Sequence, residues 1–95
     1  MKLKERLIMH EAGLINDLIR KIEQLAASEG ALRVSRVYVN LGALSHMSPE
    51  HFDEHFRIAS AGTICDGAAL QIEASTDLGD PNAVSILITG VDVEL

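Results

Sequence analysis

The chain has one cysteine (Cys65), two prolines and three aromatic residues, Tyr38, Phe52 and Phe56, in 95 residues. A lone cysteine excludes an intrachain disulfide and any zinc site that needs two or four thiolates from one chain. It fits a reducing, cytoplasmic compartment, where a small side chain in a turn is its simplest role. With so few aromatics there is no stacking platform for single-stranded nucleic acid, and Leu, Ile, Val and Ala must fill the core. No apolar run approaches the roughly 18 residues of a membrane span. The basic start, Lys2-Leu3-Lys4-Glu5-Arg6-Leu7-Ile8, has too short an apolar part for a signal peptide. Bases are missing from the second half. Residues 1–36 sum to +2, whereas residues 37–95 carry Arg57 as their only Lys or Arg and sum to −8. A basic nucleic-acid face is therefore not expected, and a partner meeting the acidic half should itself be basic. A phosphate-cradling glycine loop and a G-x-S-x-G nucleophile elbow are also missing.

What is present makes one domain. Apolar residues at 47% are enough for a core, though a thin one at this length. Leu14, Ile15, Leu18, Ile19, Ile22, Leu25 and Ala26 recur at three- and four-residue steps, which predicts a helix over 12–29 closed by Gly30. Val37, Val39 and Leu41 alternate with Arg36, Tyr38 and Asn40 in a strand over 33–42. Ser48-Pro49-Glu50 reads as N-cap, first helical residue and dipole-complementing acid of a second helix over 49–61, with Phe52, Phe56 and Ala59 inward. A strand over 68–75 follows, then a turn-rich run, then a strand over 83–95 carrying Val84, Ile86 and Ile88 on one face. Beyond Gly90 the apolar set is Val91, Val93 and Leu95, so the parity flips. A β-bulge at Thr89-Gly90 returns all of them to one face. The expected fold is an α+β two-layer domain, with two helices packed on one face of a three-stranded sheet. Residues 1–8 are an extension that the pattern alone leaves as more helix, an edge strand or disorder.

Four histidines are metal-capable: His10, His46, His51 and His55. His51 and His55 stand at i and i+4 and, with Glu54, spell H-x-x-E-H. A catalytic zinc needs a third protein ligand and a water-excluding cleft, which a thin 95-residue core offers poorly. The pair is read instead as boundary histidines beside Phe52 and Phe56, able to take an adventitious nickel or zinc ion. No enzyme is expected.

At Met9-His10-Glu11 a family resemblance becomes specific. Met-His-Glu ahead of an amphipathic helix resembles the start of the HypA/HybF family, nickel metallochaperones of [NiFe]-hydrogenase and urease maturation. Val39-Asn40-Leu41-Gly42-Ala43-Leu44-Ser45 resembles the family strand ending in G-x-L-S, and Ser48-Pro49-Glu50 its P-E helix start. Gly62-Thr63 followed by Asp66-Gly67-Ala68 resembles its G-T-x-x-E-G-A turn, with Asp for Glu. Gly90-Val91-Asp92-Val93-Glu94 is similar to its closing apolar-acidic strand. The ordered set spans residues 9–95.

The resemblance implies a mixed sheet and a nickel site at His10 and Glu11, in which a terminal amine, backbone amide nitrogens and the imidazole hold the ion. It also implies two partners, a maturation GTPase and the large subunit of a nickel enzyme. A homo-oligomer and a subunit of a larger complex are both compatible with it. There are two departures. The family's zinc domain, held by two C-x-x-C pairs, is replaced by the cysteine-free run 76–82, so no structural zinc is expected. Eight residues also precede Met9, and while they remain the amine ligand is lost. Two functions follow: a nickel-binding maturation factor, or a degenerate adaptor or structural subunit of a hydrogenase-type complex that no longer delivers nickel. A small hydrolase built on His51, Glu54 and His55 is the remote third.

Overall fold

A computed structural model describes the backbone of residues 2–3 and 7–9 and the whole of residues 15–95. The elements run β1 (Lys2–Leu3), β2 (Leu7–Met9), α1 (Ile15–Ser28), β3 (Arg33–Leu41), α2 (Pro49–Ser60), β4 (Ala69–Ala74) and β5 (Ile86–Glu94). The expected three-stranded mixed sheet is present: β3 pairs parallel with β4 and antiparallel with β5. The extension adds to it. Both β1 and β2 pair antiparallel with the far side of β5, so of the three readings left open for residues 1–8 the edge strand is the one observed. Helix α1 is described from Ile15; residues 12–14 of the expected helix lie outside the described residues.

The helices follow from their apolar stripes. Ile15, Leu18, Ile19, Ile22 and Ala26 of α1 are buried, as are Phe52 and Phe56 of α2, and all join one core with Val37, Val39, Leu41, Ile86, Ile88, Val91 and Val93. Ala59 of α2 and Leu70 and Ile72 of β4 pack partly buried at its border. Helix α1 ends in a Schellman motif. Gly30, at φ +69°, donates to Ala27 O and Ala31 donates to Ala26 O, each at 3.0 Å.

Two bulges reconcile sequence parity with burial. The pairs Tyr38↔Gly90 and Val39↔Ile88 leave Thr89 unpaired, as expected, and put both Ile88 and Val91 inside. A second bulge, not expected, lies between Val34 and Arg36 on β3. It turns Val34 into the core, out of step with Val37, and frees the Ser35 hydroxyl to donate to Asp92 O at 3.1 Å.

The last strand begins later than its alternation predicts. It starts at Ile86, and Val84 is 51% exposed. The turn at Asp80-Pro81-Asn82 takes the backbone partners that a strand would need. Ala83 donates to Asp80 O and Ser85 to Asn82 O, both at 2.9 Å, and Asn82 N donates to Asp80 Oδ1 at 2.8 Å. This segment has to cross the end of β3 to reach β5, because β4 and β5 lie on opposite sides of that strand. Gly42, just past Leu41, makes the crossing fit. It donates to Ser85 O at 2.9 Å, and any Cβ there would run into the Ala83 carbonyl.

Candidate metal centre

The expected nickel ligands His10 and Glu11 lie outside the described residues. The residue before them does not. Met9 ends β2 in register with Ile86, after Leu7↔Ile88 and Ile8↔Leu87. The backbone leading into the Met-His-Glu run is thus held at the sheet edge, and in this chain the Met9 nitrogen is a peptide nitrogen.

The other histidines are placed by α2. The Ser48 hydroxyl accepts from the His51 backbone N–H at 3.1 Å, and Pro49 occupies the first turn, so the cap forms as expected. One turn on, the His51 and His55 rings stack with centroids 4.5 Å apart and planes within 7°. Both side chains are exposed. They line a cleft of about 260 Å³ with Ile15 and Asn16 from the start of α1, Met47 from the loop before α2, and Ile58 and Ala59. Met47 and Ile15 are buried, whereas Ile58 is 72% exposed and forms an apolar rim. Sequence spacing finds the two histidines and Ala59 on one helix. Asn16 and Met47 carry no such signal, because they reach the cleft only through the packing of α1 beside α2.

Among the described residues no group of three His, Cys, Asp or Glu side chains is gathered for a metal ion. Among the described residues His51 and His55 therefore have no third protein ligand of the kind a catalytic zinc needs. His46 stands apart in the loop after β3, exposed, at φ +58°.

Cys65 sits in the turn between α2 and β4 and is fully buried. Burial pushes its thiol up to about 11; the Glu23 carboxylate acts in the same direction and a hydrogen bond with Thr63 against it. A thiol held protonated is a poor metal ligand and a poor nucleophile. Residues 76–82 contain no cysteine, and one cysteine cannot supply a four-thiolate zinc site.

Comparison with known proteins bears on the family and the fold. The profile of a family described as "Hydrogenase/urease nickel incorporation, metallochaperone, hypA" matches residues 9–78. The hydrogenase maturation factor HypA of Nitrosospira multiformis is 40% identical over 65 residues, covering 68% of this chain and 56% of that protein. The chain thus spans just over half the length of this curated relative. The solution structure of the Ni metallochaperone HypA from Helicobacter pylori superposes with a TM-score of 0.60 at 29% identity, over 70% of this chain and 58% of that one. A second solution structure, of a HypA protein, covers 92% of this chain and 93% of its own at a TM-score of 0.59; at 21% identity it speaks for the fold.

Proposed function

Because the chain belongs to the HypA family of hydrogenase and urease nickel-incorporation metallochaperones, a family of carriers rather than catalysts, we propose that it is a nickel-binding maturation factor that helps to load nickel into a [NiFe]-hydrogenase or a related nickel enzyme. The observation that carries this reading is the start of the family match at Met9, directly before His10 and Glu11.

Nickel is the cargo. The His10 imidazole supplies a neutral nitrogen of the kind nickel favours, and the Glu11 carboxylate adds an oxygen donor. Deprotonated backbone amides complete a planar nitrogen set where a terminal amine anchors them. In this chain Ile8 occupies that amine, so its site rests on the imidazole and the carboxylate and binds more weakly than one in a chain that begins at Met9. Protons compete with nickel for the imidazole, so affinity falls with falling pH.

Delivery to the large subunit of the client enzyme, together with a maturation GTPase, is the partner scheme proposed, in the cytoplasm. Among the described residues no helix is long and apolar enough to cross a membrane. No structural zinc is proposed.

Complementation tests the role. In a hydrogenase-producing host lacking its own HypA, the chain should restore activity at limiting nickel, and His10→Ala should abolish the rescue. A correctly folded chain that restores nothing would defeat the delivery reading and leave a docking role, and rescue that survives His10→Ala would remove His10 from the site.

A further inference from the structure

We propose that His51 and His55 form a second metal site, a two-imidazole chelate for a divalent late-transition-metal ion, on the face of α2 that borders α1. The choice of nickel as the ion rests on the maturation reading above; the site itself rests on geometry.

The rings stack at 4.5 Å between centroids. Two nitrogens bonded to one nickel or zinc ion at about 2.0–2.1 Å lie about 3.0–3.4 Å apart. Both rings are exposed at the same helix face, and rotation about their soft terminal torsions lets one nitrogen of each turn toward a shared ion without moving the helix. The capped first turn fixes the backbone beneath His51, so little order remains to be imposed on binding.

The surroundings favour a cation. Helix α2 carries Glu50, Asp53 and Glu54 against one base, Arg57, and that base is engaged by Asp53 at 3.1 Å and by the Ala68 carbonyl. The cleft beside the rings is lined by the apolar side chains of Ile15, Met47 and Ala59, with the exposed Asn16 also on its wall. An apolar wall beside two imidazoles limits solvent access to a bound ion, and water fills its remaining positions. Ile15, where the description of α1 begins, follows Glu11 by four residues in the sequence.

The test is a Ni²⁺ titration of the full chain by calorimetry, with the imidazole resonances followed by NMR. The variants are His51→Gln, His55→Gln, the double variant and His10→Ala. Both helix residues are exposed, so the variants fold. The expected result is a class of sites that broadens the His51 and His55 resonances together, persists in His10→Ala and weakens at least tenfold in the double variant. Each single variant should match the double one, because a chelate needs both rings. A double variant that titrates like the parent would overturn the site, as would single variants that each remove an independent half of the binding. Failure of the His10 assignment reads out separately, as a His10→Ala titration indistinguishable from the parent.

Discussion

Met9 is paired in register with Ile86, as the last residue of a short strand added to the edge of β5. The pairing ties the approach to His10 to the same strand whose other side carries β3. It makes the extension part of the sheet, and the Met9 nitrogen is a peptide nitrogen within it.

Gly42→Ala should be among the most damaging small changes. The new methyl would meet the carbonyls of Ala83 and Asn82, backbone atoms that cannot swing aside. The crossing segment would have to lift, straining the Gly42-to-Ser85 and Leu44-to-Ala83 hydrogen bonds. A loss of about 1–3 kcal/mol in urea unfolding is expected. An unchanged midpoint would show that residues 82–85 do not cross there.

Ser48→Ala removes the acceptor for the His51 N–H. A loss of about 1 kcal/mol is expected, with faster amide exchange in the first turn of α2. Ser48→Asp should restore both. Equal exchange in Ser48→Ala and the parent would argue against the cap.

Cys65 sets a pH dependence whose sign follows from its burial. The thiol's ordinary value is 9.0 and the fold raises it to about 11. Below pH 9 both folded and unfolded chains hold the proton, and the contribution to stability is fully present. Above pH 9 the unfolded chain ionises first, so stability falls until about pH 11. The loss at the upper end is about 2–3 kcal/mol. Other groups titrate in the same range, so the measurement is the difference between parent and Cys65→Ala in urea unfolding at pH 8 and pH 11. At pH 7.5 the native thiol should resist thiol reagents. Rapid labelling of the folded chain would contradict its burial.

Much of this fold is legible in the sequence because burial imposes a period. The α1 stripe, the Ser48 cap and the parity flip around Gly90 each involve several residues that must agree, and the structure places them as their spacing predicts. Where one residue decides, the pattern is silent or misleading. Val34 alone marks the bulge at Ser35, and Val84 continues an alternation that the turn at residues 80–82 has already ended. The extension is too short for its own period to choose between helix and strand; the open edge of β5 chooses for it. In the candidate centre, His51 and His55 stand out by spacing along one helix. The cleft beside them joins residues from α1, a loop and α2 that are distant in sequence, so only packing brings them together.

Purified chain, freed of any tag, should contain well under one zinc per molecule by elemental analysis, since its one cysteine is buried and no pair of thiolates is available. Stoichiometric zinc that survives mild chelation would point to the helix histidines as a tighter site than two imidazoles normally make.

Nickel affinity at His10 is best measured in a His51→Gln/His55→Gln background, so that only the N-terminal run contributes. The full chain and a chain beginning at Met9 are titrated side by side, each with and without His10→Ala. The chain beginning at Met9 should bind one nickel at least about tenfold more tightly than the full chain, a difference of about 1.4 kcal/mol or more. His10→Ala should abolish binding in both. Equal affinities in the two chains would refute the role given to the amine, and nickel binding unaffected by His10→Ala in either chain would contradict a nickel site at His10 altogether.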